Sequence, residues 1–184
     1  MHLFGMQLTR RQVESQIGNL DQIGGVLPFE LTDGRAGGVR ALRFTTGSGL
    51  TFTSLADRAL DLAHAEYCGV PLCWRSPNGD AAPSYYDPDD DRWLRMFFGG
   101  LMTTCGLTNF GPAGHDRYGS FGLHGRVDCL PAESVSYTQE WEEMSASSKH
   151  EGRSVKPVFS AKTCNYSDEF RPASGPRRFA SRTP

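Results

Sequence analysis

The chain has 184 residues, 38% hydrophobic and 11% aromatic, which is enough for one domain with a substantial core. Its formal charge of -2 argues against a nucleic-acid surface, which needs clustered excess Lys and Arg; no apolar run approaches the roughly 20 residues of a membrane span, and the start, MHLFGMQLTRRQV, lacks the pattern of a secretion signal, so a cytoplasmic protein is expected. The five cysteines, at 68, 73, 105, 129 and 164, form no C-x-x-C pair, which supports neither a disulfide framework nor a metal site.

Thr9-Arg10-Arg11-Gln12 has the form of a capping box, and Val13, Ile17 and Leu20 follow at helical spacing, which predicts a short amphipathic helix over 10–17. The pattern then changes to period two. Residues 38–44 and 49–54 read as strands around the turn Thr46-Gly47-Ser48-Gly49. Further strands are predicted at 59–66, 70–74, 101–104 and 127–129. Many short strands, one early helix and no alternation of strand with helix indicate an all-β, mainly antiparallel sandwich.

Candidate site residues fall at the strand ends. Arg58, between Asp57 and Asp61 in SLADRALDL, could offer several donors to sugar hydroxyls with a carboxylate holding its orientation; a surface ion pair is the alternative. Trp74-Arg75, in VPLCWRSPNG, could form a platform for a sugar ring, or Trp74 could belong to the core. The acidic run from Asp87 to Asp91 lacks the spacing of a calcium loop and reads as a solvated loop. The glycines of FFGGLMTTCGLTNFGP suit close backbone approach within a sheet, not a phosphate loop. In FGLHGRV, His124 stands between small neighbours that would let a ligand reach its ring, with Arg126 beside it; a structural histidine is the competing reading.

Taken in order, GSGLTFTSLADRALDL, VPLCWRSPNG, RWLRMFFGGLMTTCGLTNFGP and FGLHGRVDCLPAESVSY resemble aldose 1-epimerase-like proteins of the galactose mutarotase superfamily, in its domain-of-unknown-function branch. The resemblance covers roughly residues 1–141 and implies part of a β-supersandwich that binds a monosaccharide or derivative without a cofactor. It assigns Arg58 and His124 as sugar contacts, with Asp61, Trp74, Arg75 and Arg126 as lesser candidates. The family's acid–base chemistry needs a second histidine and a glutamate from a later segment, which nothing here matches; His150 and Glu151 lie in sequence without strand pattern, and no catalytic residue is assigned.

Composition shifts near residue 145. Residues 1–144 hold 11 Arg and no Lys against 18 Asp and Glu, a net of -7; residues 145–184 hold 8 basic against 3 acidic residues, a net of +5. Residues 142–184 therefore read as a low-order tail beside a 1–141 sandwich portion. One hypothesis is a shifted reading frame: permissible codons for Phe159–Phe170, read from the last base of the first, encode a strand-like run resembling the family's continuation. The nucleotide sequence tests it, since codons that forbid that reading exclude a frame slip. The chain accordingly reads as a carbohydrate-binding, epimerase-like protein that is truncated and inactive. The alternatives are a non-catalytic carbohydrate binder and a nonfunctional gene product.

Overall fold

The computed structural model describes residues 2–3, 6–141 and 155–163. Strands β1 (His2–Leu3) and β2 (Met6–Gln7) pair antiparallel ahead of helix α1 (Arg10–Glu14). The capping box forms: Thr9 Oγ1 accepts from the Gln12 amide, and the Thr9 amide donates to Gln12 Oε1 at 2.8 Å. The helix closes sooner than its apolar spacing predicts, because Ser15 caps it and donates from Oγ to the Gln12 carbonyl at 2.8 Å. Val13, Leu3 and Ile23 are buried together, with Ile17 and Leu20 packed against them.

The body is an antiparallel five-stranded sheet of β3 (Gly25–Glu30), β4 (Arg40–Thr45), β5 (Leu50–Leu55), β6 (Asp61–Tyr67) and β7 (Val70–Pro71), in that spatial order. The last four match strands predicted from alternation, within a few residues at each end. Strand β3 was not predicted, because Pro28 interrupts its pattern. Proline cannot donate to a ladder and is tolerated at a sheet edge, where β3 lies.

Successive residues of β4 serve opposite faces. Leu42 and Phe44 join Val26 on one face, with the Phe44 and Phe52 rings stacked at 4.7 Å and Val135 packed on top. Ala41 joins Leu55, Ala63, Val39 and Phe98 in a second cluster, with Phe29 and Leu31 against it.

Two short predicted strands are corrected. Residues 101–104 supply an isolated antiparallel bridge, Met102 to Leu62. Val127–Cys129 is a 3-10 turn with all three residues buried, a pattern that alternation across a half-exposed strand cannot produce. A hairpin of β8 (Gly114–Asp116) and β9 (Gly119–Phe121) follows the glycine-rich stretch. Beyond it, β10 (Ala132–Trp141) pairs antiparallel with β11 (Val155–Thr163). Strand β11 lies within the stretch read as a low-order tail, and Val158, between Pro157 and Phe159, interrupts its alternation of apolar and polar residues. Residues 142–154 and 164–184, with His150 and Glu151, lie outside the described residues. No helix among the described residues is long and apolar enough to cross a membrane.

Candidate functional site

The turn between β5 and β6 directs Arg58 inward. Ala59 and Leu60 both take left-handed backbone conformations, φ 49° and 67°, and the Arg58 and Leu60 amides both donate to the Leu55 carbonyl. Arg58 is wholly buried. Its Nε donates to the Asp128 carbonyl at 2.7 Å, and its terminal nitrogens donate to Ala81 O at 2.9 Å, Met96 O at 3.2 Å and Asp128 Oδ2 at 2.9 Å. The guanidinium also lies over the Phe98 ring at 5.0 Å. A charge this deep is held only when paired and hydrogen-bonded, and here its donors face protein rather than solvent.

Asp128 extends this network. Its Oδ1 accepts from Trp93 Nε1 at 3.1 Å, and the Trp93 ring meets the His124 ring edge-on at 5.0 Å. Arg58 and His124, separate in sequence, are therefore joined through Asp128 and Trp93. The aromatic contact continues both ways. Trp93 stacks on Phe97 at 5.2 Å, which lies 6.2 Å from the exposed Trp74, and His124 lies 5.7 Å from Phe110, itself 77% exposed.

His124 is only partly buried and has φ 59°, a strained conformation for a residue with a side chain. Its amide donates to Gly111 O at 2.9 Å, its carbonyl accepts from the Gly106 amide at 2.8 Å, and the Gly111 amide donates to Nδ1 at 3.3 Å. With Nδ1 accepting, the neutral ring carries its proton on Nε2 and presents a donor there. The flanking glycines serve packing, not ligand access. A Cβ on Gly122 would collide with the Pro88 carbonyl, and one on Gly125 would stand 2.8 Å from both Gly106 O and Thr108 Oγ1.

Asp61 is also fully buried. Its Oδ1 accepts from the Thr104 amide at 2.7 Å and hydroxyl at 2.6 Å, while Oδ2 has no partner among the described residues. Burial raises its pKa to about 6 against the opposing Thr104 bonds, with Asp128 adding repulsion. Burial likewise pushes the Cys129 thiol up to about 12, which leaves it unreactive.

The remaining candidates are spread over the surface. Arg75 donates to Ala63 O at 2.8 Å and to Asp80 Oδ1 at 2.5 Å, and shares the Phe98 ring with Arg58 at 5.4 Å. It lines a cavity of about 520 Å³ on the Phe29 side of the sheet. Arg126 is exposed and opens the 3-10 turn that buries Asp128.

Residues 36–177 match the family model described as Domain of unknown function (DUF4432). The chain belongs to the DUF4432 family. No curated protein and no solved structure matches it. Within this DUF4432 chain the matched span holds Arg58, Asp61, Trp93, His124 and Asp128, and it reaches across much of the compositionally distinct tail. The N-terminal hairpin, α1 and edge strand β3 precede the match.

Trp93, Asp128, Thr104 and Phe110 were missed in the sequence. Asp128 did leave a signal, as a single carboxylate between the apolar residues Val127 and Cys129. Trp93 was obscured by the acidic run before it.

Proposed function

We propose that this chain is a carbohydrate-binding protein of aldose 1-epimerase-like type, taking a monosaccharide or derivative at the His124 end of its aromatic series. The observation that carries this reading is His124 itself. Its Nε2–H has no acceptor among the described residues, on a ring wedged between Trp93 and the exposed Phe110. A sugar ring has an apolar face suited to an aromatic side chain and hydroxyls suited to a nearby donor. In this reading Phe110 carries the face and His124 holds an oxygen. Arg58 and Asp128 keep Trp93, and through it His124, in place.

The resemblance to epimerase-like proteins supports the substrate class but supplies no acid–base pair among the described residues. Binding without catalysis is therefore the behaviour proposed for this chain. Titration with a panel of aldoses, followed by tryptophan fluorescence, tests the first half. A saturable change is expected, weakened about tenfold or more in His124→Ala through loss of one well-placed hydrogen bond in a desolvated site. An equal response in the variant, or none with any aldose, would defeat the proposal. Exchange NMR on the bound sugars tests the second half: no acceleration of anomer interconversion is expected, and acceleration would show that an acid–base pair is present.

A further inference from the structure

A cavity lies on the Phe29 side of the sheet, and its lining does not include His124. Arg43 on β4 pairs across the ladder with Thr53 on β5, and Thr53 pairs with His64 on β6. All three line the 520 Å³ cavity that also receives Arg75 and Asp80. Neighbouring strands are about 4.8 Å apart, so Arg43 and His64 flank Thr53 across roughly 9.6 Å of backbone.

The members of this row are unequally committed. Asp80 is held on both sides, by Arg75 at 2.5 Å and by His64 Nε2 at 3.4 Å from its second oxygen. Burial disfavours its charge, but the bonds from His64 and Arg75 outweigh that and lower its pKa. Arg43 is exposed and lies over the Phe29 ring at 5.4 Å, with no carboxylate partner among the described residues. Thr53 is 6% exposed, and its hydroxyl has no hydrogen-bond partner among them. A guanidinium and a hydroxyl, neither with a side-chain hydrogen-bond partner among the described residues, therefore stand side by side on this wall, while His64 directs Nε2 to Asp80. Glu66, two residues beyond His64 on β6, is the opposing charge at the cavity wall.

We propose that this row binds the oxyanion of a small organic ligand, a carboxylate or phosphate group, with Arg43 pairing the charge, Thr53 donating to an oxygen and Phe29 covering its apolar part. The site is separate from the His124 end of the aromatic series and does not depend on the function proposed there.

Calorimetric titration of the full chain with inorganic phosphate, and separately with acetate, distinguishes the two sources of the oxyanion. Saturable binding of at least one is expected. Arg43→Gln and Thr53→Val should each weaken it, the first by about tenfold or more because a charge-assisted contact is lost. Glu66→Gln should tighten it, because a like charge is removed. His124→Ala should leave it unchanged. Arg43 and Glu66 are exposed enough that their substitution leaves the fold intact, which circular dichroism verifies. No saturable binding of either anion, or binding indifferent to Arg43→Gln and Glu66→Gln, would overturn the assignment.

Discussion

Asp61 Oδ2 is buried without a hydrogen-bond partner among the described residues. A carboxyl raised from 3.8 to about 6 holds its proton more tightly in the folded chain than in the unfolded one. Its stabilising effect is therefore present at acid pH and lost as pH rises through about 6. The shift corresponds to the order of 3 kcal/mol. Asp61→Asn removes the titration while keeping the acceptor for Thr104. Urea denaturation across about pH 4 to 7 should show the variant gaining on the parent as pH rises; a constant difference would mean that Asp61 does not titrate in this range. Arg58 is the contrasting case. Its position at a strand end was legible in SLADRALDL, and the helper carboxylate was expected to be Asp57 or Asp61. The partner is instead Asp128, while Asp57 pairs with Arg40 at 2.5 Å. The choice depends on which carboxylate the fold delivers to the guanidinium, and proximity along the chain does not determine that.

Among the elements, those with a strong local signal were the legible ones. The capping box at Thr9 and the alternation of β4, β5 and β6 each reside in a few consecutive residues. Pro28 hid β3 because its allowance rests on having no neighbour on one side, a property of the sheet. The loop carrying His124 is held by another non-local feature, the parallel bridge between Gly106 and Gly125. Gly125 has φ 73° and no room for a Cβ. Gly125→Ala should cost about 1–3 kcal/mol from the strained conformation, with further cost from the clash, and should displace the His124 ring. Chemical denaturation measures the first effect and the His124 contribution to sugar affinity measures the second. A variant as stable as the parent would show that the bridge carries little weight.

For the molecule as a whole, the large apolar side chains at the β6 and β7 end of the sheet are the conspicuous surface feature. Val70, Leu72, Trp74, Leu101 and Met102 are each about half exposed or more. They fall on chain segments joined by the Leu62–Met102 bridge and by the Gly100 amide bond to Trp74 O. Exposed apolar surface beside a short edge strand promotes association. Light scattering should therefore show concentration-dependent self-association in the micromolar to millimolar range, reduced in Trp74→Ser. A chain that stays monomeric throughout would contradict this.

The sequence by itself determined the all-β, antiparallel class, the short capped helix and the strands from 40 to 67, because each is written in the spacing of neighbouring residues. It also singled out Arg58 and His124. Only the tertiary structure decided that Arg58 is enclosed, that Asp128 and Trp93 connect it to His124, and that Arg43, Thr53 and His64 stand in one row. The physical reason is distance along the chain. The Arg58–Asp128 bond spans 70 residues and the Trp93–Asp128 bond spans 35, so neither leaves a local periodicity to be read.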